Sequence, residues 1–128
     1  MKRGFLLMNT GSPDSPEVKD VKSYLGQFLM DPYVIDLPYP LRAILVYGII
    51  LNTRPKKSAE AYKSIWTDNG SPLIYYCEML TKSLKLSHDE PIELAMAYGN
   101  PSLPNAIDKL IEADVEEICL LPLFPQYA

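Results

Sequence analysis

Three short apolar runs, each closed abruptly by turn residues, constrain this chain more than any other feature of its sequence. Residues 4–8 (GFLLM) run into NTGSP, residues 92–98 (IELAMAY) into GNPS, and residues 117–121 (EICLL) into PLFPQYA. Runs of this length without strict polar alternation suit strands of a parallel sheet buried on both faces. Several helical patterns separate the first run from the second, and one separates the second from the third. A strand–helices–strand–helix–strand order implies right-handed crossovers, and hence an α/β lobe whose parallel sheet carries helices on both faces. The three closing loops then gather at the carboxyl edge of the sheet, where open α/β sheets bind ligands.

The helical segments are read from their periodicity and punctuation. Ser15-Pro16 offers an N-cap followed by proline at the first helical position, and Val18, Val21, Leu25, Phe28 and Leu29 then share one face. Residues 30–40 (MDPYVIDLPYP) are broken by prolines and should be irregular or a brief extended piece. Residues 41–51 have helical length but are apolar nearly all round, with Arg42 the one charge. A further helix begins at Pro55, with Ser58, Ala59, Tyr62 and Ile65 on one face. Gly70-Ser71-Pro72 repeats the cap signature before a stripe of Leu73, Tyr76, Cys77, Leu80 and Leu84. Ala106, Ile107, Leu110 and Ile111 mark the helix between the second and third strands.

Composition removes several classes of function. With 12 Lys+Arg against 16 Asp+Glu, the net charge of −4 leaves no basic footprint for nucleic acid. One histidine and two cysteines without a CxxC cannot build a zinc cage, and Cys77 and Cys119 read as reduced thiols rather than a disulfide. The N-terminal apolar run of four residues is too short for an export signal, and the longest one, nine residues at 43–51, is too short to cross a bilayer. No GxGxxG follows the first strand and no GxxxxGK[ST] occurs, so a nucleotide-binding loop is not supported.

Two stretches carry chemistry. NTGSP places two hydroxyls and a glycine at a strand end, serving either a ligand or simply the start of the first helix. Residues 51–73 (LNTRPKKSAEAYKSIWTDNGSPL) are more telling: Arg54, Lys56 and Lys57 precede a helix bearing Tyr62, and Ser71 caps the next. Such a set of donors suits a carboxylate or phosphate, the plain alternative being a solvated basic turn. His88, between Ser87 and Asp89, reads as a surface residue, and Glu112, Asp114, Glu116 and Glu117 as a solvated helix end.

Together, LLMNTGSP, FLMDPYVI, RPKKSAEAYKSIWTDNGSPL, MAYGNPS and LPLFPQYA occur in order from residue 5 to residue 128. In this colinear set the chain resembles the amino-terminal part of the ferrochelatases, which insert ferrous iron into a porphyrin. The resemblance implies a chelatase fold of two similar Rossmann-like lobes with the porphyrin between them. Residues 1–128 are then expected to form the first lobe, truncated, with the second absent.

The same resemblance places Thr10 beside the porphyrin face, and Arg54, Lys57, Tyr62 and Ser71 at the propionates. No catalytic or metal-binding residue is expected within the segment, because the family's metal-handling histidine and glutamate belong beyond residue 128, and His88 does not match that histidine. No cofactor is expected here; ferrous iron and porphyrin are substrates of the full-length lyase, and residues 1–128 alone are expected to be inactive. Segment 38–51 corresponds to a cleft lip that resembles a membrane-facing surface in some members, which implies a cytoplasmic protein with peripheral membrane contact; its nearly uniform hydrophobicity fits either that role or burial against the absent lobe. The family usually reads Met-Arg-Tyr at the second strand end, where this chain has Ala97. Protoporphyrin is the implied substrate. The rival readings are a coproporphyrin-specific chelatase and a non-catalytic anion- or tetrapyrrole-binding α/β module that uses NTGSP and Arg54 as a carboxylate clamp.

Overall fold

The computed structural model describes residues 1–125; residues 126–128, at the end of the PLFPQYA run, lie outside the described residues, so that loop is seen only in part. In chain order the elements are β1 (Arg3–Ser12), α1 (Val18–Leu29), α2 (Tyr39–Ala43), a π-helix (Ile44–Ile50) and α3 (Leu51–Thr53). There follow α4 (Pro55–Ile65), α5 (Pro72–Ser87), β2 (Ile92–Gly99), α6 (Leu103–Glu112) and β3 (Glu117–Pro122). They form two units: residues 1–11 with the described residues from Leu73 onward, and residues 12–72.

The first unit contains the parallel sheet, in the order β2-β1-β3. Its register against β3 runs from Arg3 opposite Glu117 to Met8 opposite Pro122. Alternation along β1 sends successive leucines to opposite faces. Leu7 joins Ile92, Leu94, Met96 and Cys77 on the α5 side, and Leu6 joins Ala95, Ala106 and Leu110 on the α6 side. This is the three-layer α/β arrangement the strand pattern predicts. The expected burial of the third strand does not hold, since Ile118, Leu120 and Leu121 are 39%, 49% and 41% exposed. β3 is an edge strand, and both buried clusters are drawn from β1 and β2 rather than from it.

Two boundaries differ from the sequence reading. β1 continues through NTGS to Ser12, so Thr10 lies on the strand and not in a loop. β1 is the central strand of the sheet, and it outruns its register with β3, which ends at Met8. α1 starts at Val18 with Glu17 as its N-cap residue, not at Ser15-Pro16. Ser15 is spent differently: its hydroxyl donates to Asp20 Oδ2 at 2.6 Å and accepts the Glu17 N–H at 3.1 Å. Val18, expected on the buried face, is exposed, while Val21 is fully buried.

In the second unit α1 packs against α3 and α4, with Val21, Val46, Leu51 and Ala59 buried. Gly26 permits that approach, because a β-carbon there would stand 3.3 Å from Leu51 Cδ1. Residues 30–38 are irregular, as their prolines predict, but Tyr39 and Pro40 at the end of the same stretch open α2, where proline suits a first helical turn. The apolar stretch 41–51 is helical but not one α-helix: α2 passes into the π-helix, then into α3. Asn52 Nδ2 donates to the carbonyls of Tyr47 (3.2 Å) and Gly48 (3.0 Å), and Thr53 Oγ1 to that of Ile49 (3.0 Å), so side chains hold carbonyls along the π-helix. Among the described residues, no helix is long and apolar enough to cross a membrane.

Candidate functional site

Helix α4 builds the site in the second unit. Pro55 occupies its first turn, where a missing N–H costs nothing, and Arg54 is the residue at its N-cap. From there the spacing of 3–4 residues puts Arg54, Lys57, Ser58 and Ala61 on one side of the helix. With Thr53 they line an open groove of about 490 Å³. Arg54 and Lys57 are both exposed at its wall, so their charges are free to meet an anion. The helix N-terminus adds its partial positive charge to theirs.

Ser58 and Thr53 are the groove residues that sequence reasoning missed as donors or acceptors. Ser58 was legible as a helix-face residue, four positions after Arg54, and its N–H closes the first turn on the Arg54 carbonyl at 3.0 Å. Thr53 differs in kind, because its hydroxyl hydrogen is committed to the Ile49 carbonyl and only lone pairs remain. A carboxylate in this groove would therefore find two cations and one hydroxyl donor.

The other expected residues stand apart from the groove lining. Tyr62 is two turns along α4 from Arg54, half-buried, with its ring edge-on to Trp66 at 6.5 Å between centroids. Burial pushes its phenol above the usual tyrosine range, so it remains a protonated donor at neutral pH. Ser71 is buried immediately before α5, after a tight turn in which Thr67 and Gly70 exchange two backbone hydrogen bonds of 3.1 and 2.9 Å. Gly70 takes φ +90, a conformation that favours glycine. Thr10 belongs to the first unit, half-buried at the carboxyl end of β1. Ala97 is half-buried in β2, and His88 is exposed. Among the described residues no group of His, Cys, Asp and Glu could hold a metal ion.

These features define an α/β lobe with a parallel sheet in one unit and a helix-borne cationic groove in the other. The ferrochelatase family model matches residues 2–128, and the chain belongs to that family. It is 56% identical over 124 residues to the ferrochelatase of Azotobacter vinelandii, 53% over 125 to that of Pseudomonas syringae pv. syringae, and 54% over 125 to that of Ectopseudomonas mendocina. Each match covers 96% of this chain and 36% of the relative, so the chain spans about a third of the length of these curated relatives.

Proposed function

We propose that these residues are the porphyrin-anchoring lobe of a ferrochelatase, which inserts ferrous iron into protoporphyrin to make protohaem. The observation that carries this reading, beyond family membership, is the groove of Arg54, Lys57 and Ser58 at the start of α4. The porphyrin's propionates are carboxylates, and the planar guanidinium of Arg54 can grip one with two parallel hydrogen bonds while Lys57 adds a point charge. Tyr62 and Ser71 complete the anchors on the same unit, and Thr10 meets the macrocycle. Iron is substrate here; its ligands and the base that removes the pyrrole protons come from the remainder of the protein. Replacing two pyrrole protons requires the ring to expose its nitrogen lone pairs, and anchoring the propionates holds the ring against the walls that bend it.

Segment 38–51 supports a peripheral membrane contact on the cytoplasmic side. Tyr39, Leu41, Ile44, Tyr47 and Ile49 are each 54–65% exposed, a concentration of apolar side chains that marks an interaction surface. Porphyrins of low polarity partition into bilayers, so a lip of this kind suits their collection. The test is titration of the full-length protein with protoporphyrin and with its dimethyl ester. Arg54→Ala should weaken the free acid and leave the ester unchanged; equal binding of both compounds by wild type and variant would remove the anchoring role. Failure of the full-length protein to metallate porphyrin while still binding it would favour the non-catalytic module.

A further inference from the structure

We propose that an apolar notch between α5 and β3 seats a helix from the part of the protein beyond residue 128, and that this helix returns to the lobe only after a further strand has been added. The inference rests on the sheet and on the length of the relatives, not on the anion groove, so either can fail without the other. The notch has a volume of about 130 Å³ and is lined by Phe5, Leu7, Leu84, His88, Ile92 and Leu121. It is apolar apart from the His88 ring, whose Nδ1 is turned to the Leu84 carbonyl at 3.0 Å. An engineered apolar cavity of roughly 150 Å³ takes a benzene, so one leucine or phenylalanine side chain would fill this space.

Two rows of side chains extend the notch into a groove. On α5, Leu80 and Leu84 stand four apart, with His88 four further on, which is one row of a helix face. On β3, alternation sends Cys119 and Leu121 to one face, paired with Phe5 and Leu7 of β1. Leu80 and Leu121 are each 41% exposed. α5 closes over β1 and β2 through Cys77, which packs with Leu7, Leu94 and Met96. The β3 end of the same face is left open, although parallel strands are ordinarily covered on both faces.

Length and handedness decide what fills it. The chain spans 36% of its curated relatives, so nearly two thirds of such a protein remains to be placed. Consecutive strands are commonly neighbours, and a strand added next pairs with the free edge of β3. The step from β1 to β2 crosses on the Leu7 face with α5, and the step from β2 back past β1 to β3 crosses on the Leu6 face with α6. A step onward from β3 has the direction of the second, so a right-handed crossover puts its helix on the Leu6 face, over Ile118 and Leu120. The notch is on the opposite face. Its occupant is therefore a later segment, an amphipathic helix that lays apolar residues three and four apart between α5 and β3.

The experiment is peptide-resolved alkylation of the full-length protein with iodoacetamide. Cys119 and the thiol of a Leu121→Cys variant should react at least about tenfold more slowly than in urea, since cover limits the reaction to local opening. Smaller protection would overturn the proposal. Cys119 needs no substitution, so the measurement stands even if Leu121→Cys does not fold. In a second arm, Leu80→Cys carries benzophenone maleimide and is irradiated. The crosslinked peptide should lie beyond the crossover helix and strand that follow β3. Crosslinks to that crossover helix, or between two copies of the protein, would overturn the proposal. A protected notch that gives no crosslinked peptide, the result for a bound lipid or other small apolar molecule, would overturn it too. None of these outcomes touches the anchoring role, which the ester titration decides.

Discussion

A β-carbon on Gly4 would lie 2.9 Å from Cγ2 of Val115, closer than real side chains approach. The same atom would stand 3.0 Å from Cδ2 of Leu110, which is fully buried. Val115 is β-branched and stiff about χ1, so neither neighbour gives way cheaply. Gly4→Ala should therefore destabilise the first unit by about 1–3 kcal/mol, the usual cost of overpacking. Urea denaturation measures it. Val115→Ala placed on top should recover part of the loss, since the two sites are coupled by contact.

Arg54 and Lys57 share a groove that Lys56 does not line. Arg54→Ala should cost about 1.5 kcal/mol in porphyrin affinity, the lower end for hydrogen bonds to charged groups, because the groove is open to water. Lys57→Ala should cost less and fade with added salt, as an exposed point charge is screened. Lys56→Ala should leave affinity unchanged. Titrations in low and high salt would separate the three.

Tyr62 supplies a pH dependence whose sign is fixed. Its folded-state pKa lies above the unfolded value because burial disfavours the phenolate. The contribution is present in full below pH about 10 and is lost as pH rises through the folded pKa, since the folded state then binds the extra proton. Denaturation midpoints from pH 9 to 11 should fall more steeply for wild type than for Tyr62→Phe. The late part of the phenolate absorbance titration should shrink in the variant.

Much of this was legible in the sequence because the physics there is local. Leu6 and Leu7 announce a strand buried on both faces, and both sides of it are packed. Arg54 and Lys57 announce a cationic helix start, and they line one groove. What was not legible depends on partners distant in sequence or on small differences in backbone winding. NTGS is turn chemistry in the sequence, yet β1 runs on through it to Ser12 and carries Thr10 on the strand. The amide of Asn9 donates to the Cys77 thiol, a partner 68 residues away. Ser15 resembled a cap until Asp20 and the Glu17 N–H claimed its hydroxyl. The π-helix at Ile44–Ile50 has no distinct hydrophobic period, since its residues are apolar on every side.

The π-helix offers the last prediction. Asn52 holds the carbonyls of Tyr47 and Gly48, and Thr53 holds that of Ile49 and, at 3.5 Å, that of Ile50. Four successive carbonyls are thus tied by two side chains that lie outside the segment. These bonds are exposed, so each should contribute about 0.5–1 kcal/mol to local rather than global stability. Asn52→Ala should raise hydrogen exchange for residues 44–52 several-fold while the global denaturation midpoint stays within a few tenths of a kcal/mol. Asn52→Ala with Thr53→Val should have a larger local effect than either change alone, because each releases a different pair of carbonyls. Exposed apolar side chains at Ile44, Tyr47 and Ile49 ride on this winding. A vesicle-binding assay should therefore respond to the double variant in the full-length protein if the lip meets the bilayer. Unaltered exchange at 44–52 in the double variant would show that the winding is held by packing around Val46 and Leu51, both buried, and not by its side-chain ties.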